Sequence, residues 1–80
     1  MEDIIQRVDK LICEVLGKEL KHKELEGKDM FEDLEFDSVT ILELISKIEY
    51  EFQTEIEPEI LIDNMSKYDS VIEMVSNIIR

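Results

Sequence analysis

Apolar side chains recur at helical spacing in three stretches of the chain and predict three longer helices. The first stretch follows Asp3, a candidate N-cap with Gln6 at the spacing of a capping box, and it ends before Gly17, a residue typical of helix C-termini. Its apolar stripe consists of Ile4, Val8, Leu11, Ile12 and Val15. The second helix is expected over 38–52, with a core face of Ile41, Leu44, Ile45, Ile48 and Phe52.

The last helix is expected to begin near Ser70, because Ser70 and Glu73 have the spacing of a capping box. Its buried stripe is expected to be Val71, Met74, Val75 and Ile78. Before it, Pro58 favours a short helix over 58–63, since proline lacks an N–H group that would be unpaired in the first turn anyway.

Residues 18–37 show no clear apolar period, and we expect a long connection there with one helical turn near 28–32. Its few apolar side chains should hold it against the core, namely Leu20, Leu25, Met30, Phe31 and Leu34. The pattern as a whole predicts an all-α fold, a small four-helix bundle of three longer helices and one short helix with a long first loop. A chain of 80 residues is expected to form a single domain over 1–80.

The 21 acids and 9 bases give a net charge of −12 at pH 7, which argues against nucleic acid and anionic membranes as partners. Residues 35–63 hold nine acids and one base, so the charge is concentrated on the second helix and the segment after it. A solvated face with a Glu43–Lys47 ion pair would explain such a helix. The concentration also favours docking on a basic protein.

The sequence offers little for catalysis. His22 is the single histidine and Cys13 the single cysteine, so we expect no metal site and no catalytic residue. An unpaired cysteine, together with an N-terminus that lacks the features of a signal peptide, predicts a soluble monomer of the cytoplasm. A small thiol enzyme using Cys13 is the hypothesis that we rank last.

Two favoured N-cap residues, Asp37 and Ser38, open the second helix, and one cap is enough. The hydroxyl of Ser38 is a good place to attach a phosphate, because free N–H groups and the helix dipole favour an anion there. The exposed face that follows is predicted to carry Val39, Glu43, Ser46 and Tyr50, with Leu42 and Glu49 at its boundary.

Residues 31–39, FEDLEFDSV, resemble the F-x-x-L-G-x-D-S-L signature of acyl carrier proteins, and the similarity continues through 41–45, 49–52 and 55–58. The resemblance implies that a phosphopantetheinyl transferase attaches 4'-phosphopantetheine from coenzyme A to Ser38, with Asp37 helping to present the serine. It also implies a bundle whose short third helix can move to admit an acyl chain. Basic-surfaced acyl-transferring or synthase enzymes would then dock on Val39, Leu42, Glu43, Ser46, Glu49, Tyr50 and Ile56.

The chain departs from the family pattern at several positions. Glu35 stands where the family usually has Gly, so a turn that requires a positive φ would be strained there. Val39 replaces the common Leu, Thr40 and Tyr50 replace frequent acids, and Lys47 adds a positive charge beside the docking face. These changes suggest partners other than those of a housekeeping fatty-acid carrier.

An acyl carrier of fatty-acid, polyketide or related biosynthesis is the first hypothesis. A peptidyl or aminoacyl carrier is an alternative within the same chemistry. The alternative from another class is a non-carrier, acidic helical adaptor that docks on a basic protein, in which Ser38 is only a helix cap.

Overall fold

The computed structural model describes residues 3–79, without the side chains of residues 62 and 63. This part of the chain contains five helices. The helices are α1 (Ile4–Leu16), α2 (His22–Leu25), α3 (Ser38–Phe52), α4 (Pro58–Asn64) and α5 (Tyr68–Ile78). Residues 3–79 contain no β-strand, which confirms the all-α class. The four predicted helices correspond to α1, α3, α4 and α5, and α2 is an additional short helix.

Local signals fix both ends of α1 where the sequence predicts them. The Gln6 N–H donates to Asp3 Oδ1 at 2.8 Å and closes the N-terminus. Gly17 adopts a left-handed conformation with φ 68°, and its N–H donates to the Cys13 carbonyl at 2.9 Å. The bounds of α3 also agree with the predicted range, and Pro58 is the first residue of α4.

The long connection between α1 and α3 differs from the prediction. The helix of this segment is α2, and the single helical turn expected at 28–32 is present one residue later, because the Asp33 N–H donates to the Asp29 carbonyl at 3.0 Å. The Asp29 carboxylate accepts the N–H groups of Phe31 and Glu32, both at 2.9 Å, and so stabilises the start of this turn. The turn is also tied to the start of α5, because the Met30 N–H donates to the Ser66 carbonyl at 2.9 Å.

The core lies between α1, α3, α5 and this connection. Its buried side chains are Val8, Leu11, Ile12, Leu25, Met30, Leu34, Phe36, Ile41, Leu44, Ile48, Ile56, Met65, Tyr68, Val71, Met74 and Val75. The connection therefore supplies four core residues, one of them Phe36, which the apolar pattern did not single out. Of the predicted anchors, Leu20 is half-buried and Phe31 is 42% exposed.

Tertiary contacts rather than a cap start α5. The helix begins at Tyr68, two residues before the predicted start, so the expected Ser70–Glu73 capping box is wrong. The Tyr68 N–H donates to the Lys28 carbonyl at 3.0 Å, and its buried hydroxyl donates to Asp9 on α1. The predicted stripe faces inward, with three residues buried and Ile78 half-buried. Within residues 3–79, no helix has the length and apolar character needed to cross a membrane.

Candidate cofactor-attachment site

Asp37 closes the N-terminus of α3. Its Oδ1 accepts the N–H groups of Val39 at 3.0 Å and Thr40 at 2.8 Å. Thr40 Oγ1 accepts the Asp37 N–H at 2.8 Å, which completes a capping box. The hydrogen bond from the Thr40 N–H lowers the pKa of Asp37 below the ordinary aspartate value, and the hydrogen bond from the Thr40 hydroxyl contributes in the same direction. Thr40, which departs from the family pattern, is thus the second half of this cap.

Ser38 is the first residue of α3, and its side chain is exposed. Its hydroxyl has no hydrogen-bond partner among residues 3–79, so Asp37 alone serves as the cap. The expectation of free N–H groups at this helix end holds only for the first one. Asp37 accepts the N–H groups of Val39, Thr40 and Ile41, whereas the Ser38 N–H has no acceptor among residues 3–79.

The turn before Ser38 has the positive φ that was expected to strain Glu35. Glu35 has φ 62°, a region that disfavours residues with a Cβ. Leu34 and Phe36 are buried on either side of it, and the Phe36 N–H donates to the Met30 carbonyl at 2.9 Å. The core therefore holds both flanks of the turn and leaves the strain on Glu35.

The predicted docking surface of α3 is largely exposed. Val39 is 65%, Leu42 62% and Tyr50 81% exposed, and Glu43 and Ser46 are also exposed. The ion pair expected between Glu43 and Lys47 is absent from the described part of the chain. Lys47 Nζ instead lies 3.7 Å from Glu14 Oε1 on α1.

Two of the predicted contact residues are used within the fold. Glu49 is half-buried, and its Oε2 accepts the Ile56 N–H at 2.8 Å. The Ile56 side chain is 6% exposed and belongs to the core, so it offers little surface to a partner in this structure. The hydrogen bond connects the end of α3 to the segment before α4, a role for Glu49 that its sequence position did not reveal.

An apolar cleft of about 360 Å³ lies between α3 and α4. It is lined by Phe31, Ile41, Leu42, Ile45, Pro58, Leu61, Met65 and Ser66. Sequence reasoning assigned none of these residues to a binding cleft. The partial exposure of Phe31, which departs from its predicted anchoring role, places this aromatic side chain at the cleft.

Cys13 and His22 have separate partners. The Leu20 N–H donates to Cys13 Sγ at 3.4 Å, whereas His22 Nδ1 lies 3.0 Å from the Tyr68 hydroxyl and 3.1 Å from Asp9 Oδ2. The structure therefore does not pair the thiol with the imidazole. In the described residues, no group of three or more His, Cys, Asp or Glu side chains is arranged to hold a metal ion.

Comparisons with known proteins agree with this geometry. Residues 6–76 match the PP-binding domain family, described as a phosphopantetheine attachment site. Two curated relatives, both named acyl carrier protein, come from Streptococcus pyogenes serotype M3 and serotype M1. Each is 39% identical over 56 residues, which cover 70% of this chain and 73% of the relative. The chain therefore belongs to the acyl carrier protein family, whose members carry 4'-phosphopantetheine covalently and are carriers rather than enzymes.

Proposed function

We propose that this chain carries acyl groups as thioesters on a 4'-phosphopantetheine arm joined to Ser38. The observation that supports this assignment is an exposed serine at the first residue of α3 whose hydroxyl has no hydrogen-bond partner among residues 3–79. A serine that acted only as a cap would donate or accept within the first turn, and Asp37 already fills that role. When attached, the arm supplies a thiol at the end of a long flexible tether.

The residues around Ser38 fit the attachment reaction. The Ser38 Oγ would form a bond to the phosphorus that bears the pantetheine arm in coenzyme A. The phosphoanhydride bond to adenosine 3',5'-bisphosphate would break, and the serine proton would leave. Asp37 uses Oδ1 for the cap, while its Oδ2 has no partner among residues 3–79 and can face the transferase. Asp37 can therefore hold the helix end and present the serine at the same time.

Delivery of the cargo would depend on docking and on the tether. The proposed docking surface is Val39, Leu42, Glu43, Ser46, Glu49 and Tyr50, and its partners are the transferase and acyl-transferring or synthase enzymes. The arm raises the effective concentration of the thioester at a docked active site, so weak and rapidly exchanging association is sufficient. The free Cys13 fits the reducing cytoplasm.

The cleft between α3 and α4 is the proposed place for the acyl chain. Its lining is apolar, and it opens beside Leu42, which is 62% exposed. Burial of methylene groups there would stabilise the loaded carrier by about 0.8 kcal/mol per group. Movement of the short helix α4 would enlarge the cleft. Fatty-acid, polyketide or a related biosynthesis is the proposed pathway, with acyl rather than aminoacyl cargo.

Intact mass spectrometry tests the attachment directly. The chain is incubated with coenzyme A, magnesium and a broad-specificity phosphopantetheinyl transferase that modifies a known carrier in parallel. Wild type and Ser70→Ala, a control serine near the start of α5, are expected to gain the mass of one arm. Ser38→Ala is expected to gain nothing. A gain in Ser38→Ala would place the arm elsewhere, and no gain in wild type would favour the adaptor hypothesis.

A further inference from the structure

Two of the three acids of α3 have partners within the fold. Glu49 accepts the Ile56 N–H, and Glu51 pairs with a cation on α1. Glu43 has no hydrogen-bond or ion-pair partner among residues 3–79. Glu43 is therefore the one acid of α3 that has no partner in the described part of the chain, and the other exposed acids of 35–63 lie outside this helix.

Arg7 is the cation that neutralises Glu51. Its Nε donates to Glu51 Oε2 at 2.9 Å, and its Nη2 donates to the Glu51 carbonyl at 3.2 Å. The guanidinium also lies 4.5 Å from the centroid of the Phe52 ring. Three contacts hold this side chain in place, so the charge of Glu51 is balanced before any partner approaches. Lys47 places a further positive charge on the same helix.

The exposed residues of α3 after Ser38 form a narrow stripe, defined here as Val39, Leu42, Glu43, Ser46 and Tyr50. At 100° per residue, its members lie within an arc of about 100°, and the stripe runs about 16 Å along the helix. Apolar side chains stand at both ends of it, and each of the three apolar members is more than half exposed. The stripe offers one carboxylate and one hydroxyl between them.

Tyr50 is the most exposed of these side chains, and hydrogen bonds from Gln53 hold the helix backbone at this residue. The Gln53 side-chain amide donates to the Tyr50 carbonyl at 2.7 Å, and Gln53 ends α3 with φ 52°. Aromatic side chains on a rigid backbone contribute large contact area with little loss of conformational freedom. Because Tyr50 is 81% exposed, the fold itself gains little from it.

We infer that the enzymes that act on this carrier recognise the Val39–Tyr50 stripe mainly through apolar contact, with Tyr50 as the distal anchor. The partner surface that fits is an apolar groove with one basic side chain placed against Glu43, rather than an extended basic patch. This inference rests on the proposed carrier function. It predicts that Glu43, the one carboxylate of the stripe, contributes little to the salt dependence of docking, since one exposed ion pair contributes little to affinity.

The kinetics of arm attachment by the transferase test this inference. The kcat/KM for coenzyme A-dependent modification is measured at about 0.05 and about 0.5 M NaCl. Tyr50→Ala is expected to lower kcat/KM about tenfold at both salt concentrations, and Glu43→Gln about twofold at low salt only. Tyr50→Phe is expected to retain most of the rate. The matched control is Ile5→Ala, an exposed apolar residue on α1, which is expected to leave the rate unchanged.

Tyr50→Glu separates the two modes of docking by the sign of its effect. Recognition by an extended basic patch would make this variant faster, whereas an apolar groove makes it at least as slow as Tyr50→Ala. Far-UV circular dichroism confirms that each variant remains helical. Faster modification of Tyr50→Glu, or a rate of Tyr50→Ala within twofold of wild type, overturns the inference and leaves the carrier function intact. Absence of any mass gain in wild type overturns both.

Discussion

Glu49→Ala is expected to release the segment between α3 and α4. The substitution removes the carboxylate oxygen that accepts the Ile56 N–H at 2.8 Å. This hydrogen bond is part-buried beside the buried Ile56 side chain, so water replaces the lost acceptor only in part. The loss therefore combines a charge-assisted hydrogen bond with an N–H group left without an acceptor.

The expected effect on stability is a loss of about 1.5–3 kcal/mol in the free energy of unfolding. For a domain of this size, that loss corresponds to a fall in Tm of roughly 6–24 °C. Glu49→Gln keeps an oxygen acceptor and removes the charge, so its expected loss is about half as large. Glu43→Ala, on the same helix but without a partner in the described residues, is expected to stay within about 0.5 kcal/mol of wild type.

Urea unfolding followed by circular dichroism measures these differences, and amide hydrogen exchange locates them. The Ile56 amide is expected to exchange at least tenfold faster in Glu49→Ala, while the amides of α1 change only with global stability. Equal stability of Glu49→Ala and Glu43→Ala would refute this role of Glu49. A charge reversal at Glu49 would break the same hydrogen bond, so Glu43 is the cleaner position for testing charge in docking.

Three further predictions concern strain and pH. Glu35→Gly should raise the free energy of unfolding by up to about 1 kcal/mol, because φ is 62° at this position and glycine adopts that conformation without strain. Gly17→Ala, where φ is 68°, should lower the free energy of unfolding by about 1 kcal/mol. Urea unfolding measures both changes, and a lower free energy of unfolding in Glu35→Gly contradicts the strain argument. Burial raises the pKa of Tyr68 well above its ordinary value, and the hydrogen bond to Asp9 raises it further. The contribution of the protonated Tyr68 hydroxyl to the free energy of unfolding is therefore complete below about pH 10 and is lost as the pH rises. The free energy of unfolding of Tyr68→Phe should be about 1 kcal/mol below that of wild type near pH 7. This difference should shrink when unfolding is measured at increasing alkaline pH, and a difference that stays constant rejects this account. Because the pKa of Asp37 is lowered in the folded state, its carboxylate stabilises the fold above about pH 4, and this stabilisation is lost as the pH falls. The free energy of unfolding of Asp37→Asn, followed by circular dichroism, should therefore differ most from that of wild type at about pH 5 to 7 and least near about pH 3.

Local signals made two helices predictable from the sequence. The cap at Asp3, the glycine after α1 and the Asp37–Ser38 pair before α3 act over three or four residues, so they can be identified without tertiary contacts. The core faces of α1 and α3 follow from apolar spacing for the same reason. The position of Ser38 relative to the start of α3 was predictable on this basis.

Signals that depend on distant residues were not predictable. The start of α5 is set by the pairing of Tyr68 with the Lys28 carbonyl, which overrides the local capping pattern at Ser70. The turn after Asp29 likewise depends on the Met30 N–H reaching Ser66, 36 residues further along the chain. Contacts across such separations leave no periodic pattern in the sequence.

The sequence by itself determined an acidic, all-α chain with a hydroxyl at the start of α3, because charge, apolar period and N-cap chemistry are properties of short segments. Only the tertiary structure decided which charges remain available. Arg7 on α1 pairs with Glu51, the Ile56 N–H donates to Glu49, and Lys47 pairs with Glu14, so Glu43 is the one acid of α3 without a partner among residues 3–79. The physical reason is that packing decides which charged side chains lie within reach of one another, and the chain order does not specify those neighbours.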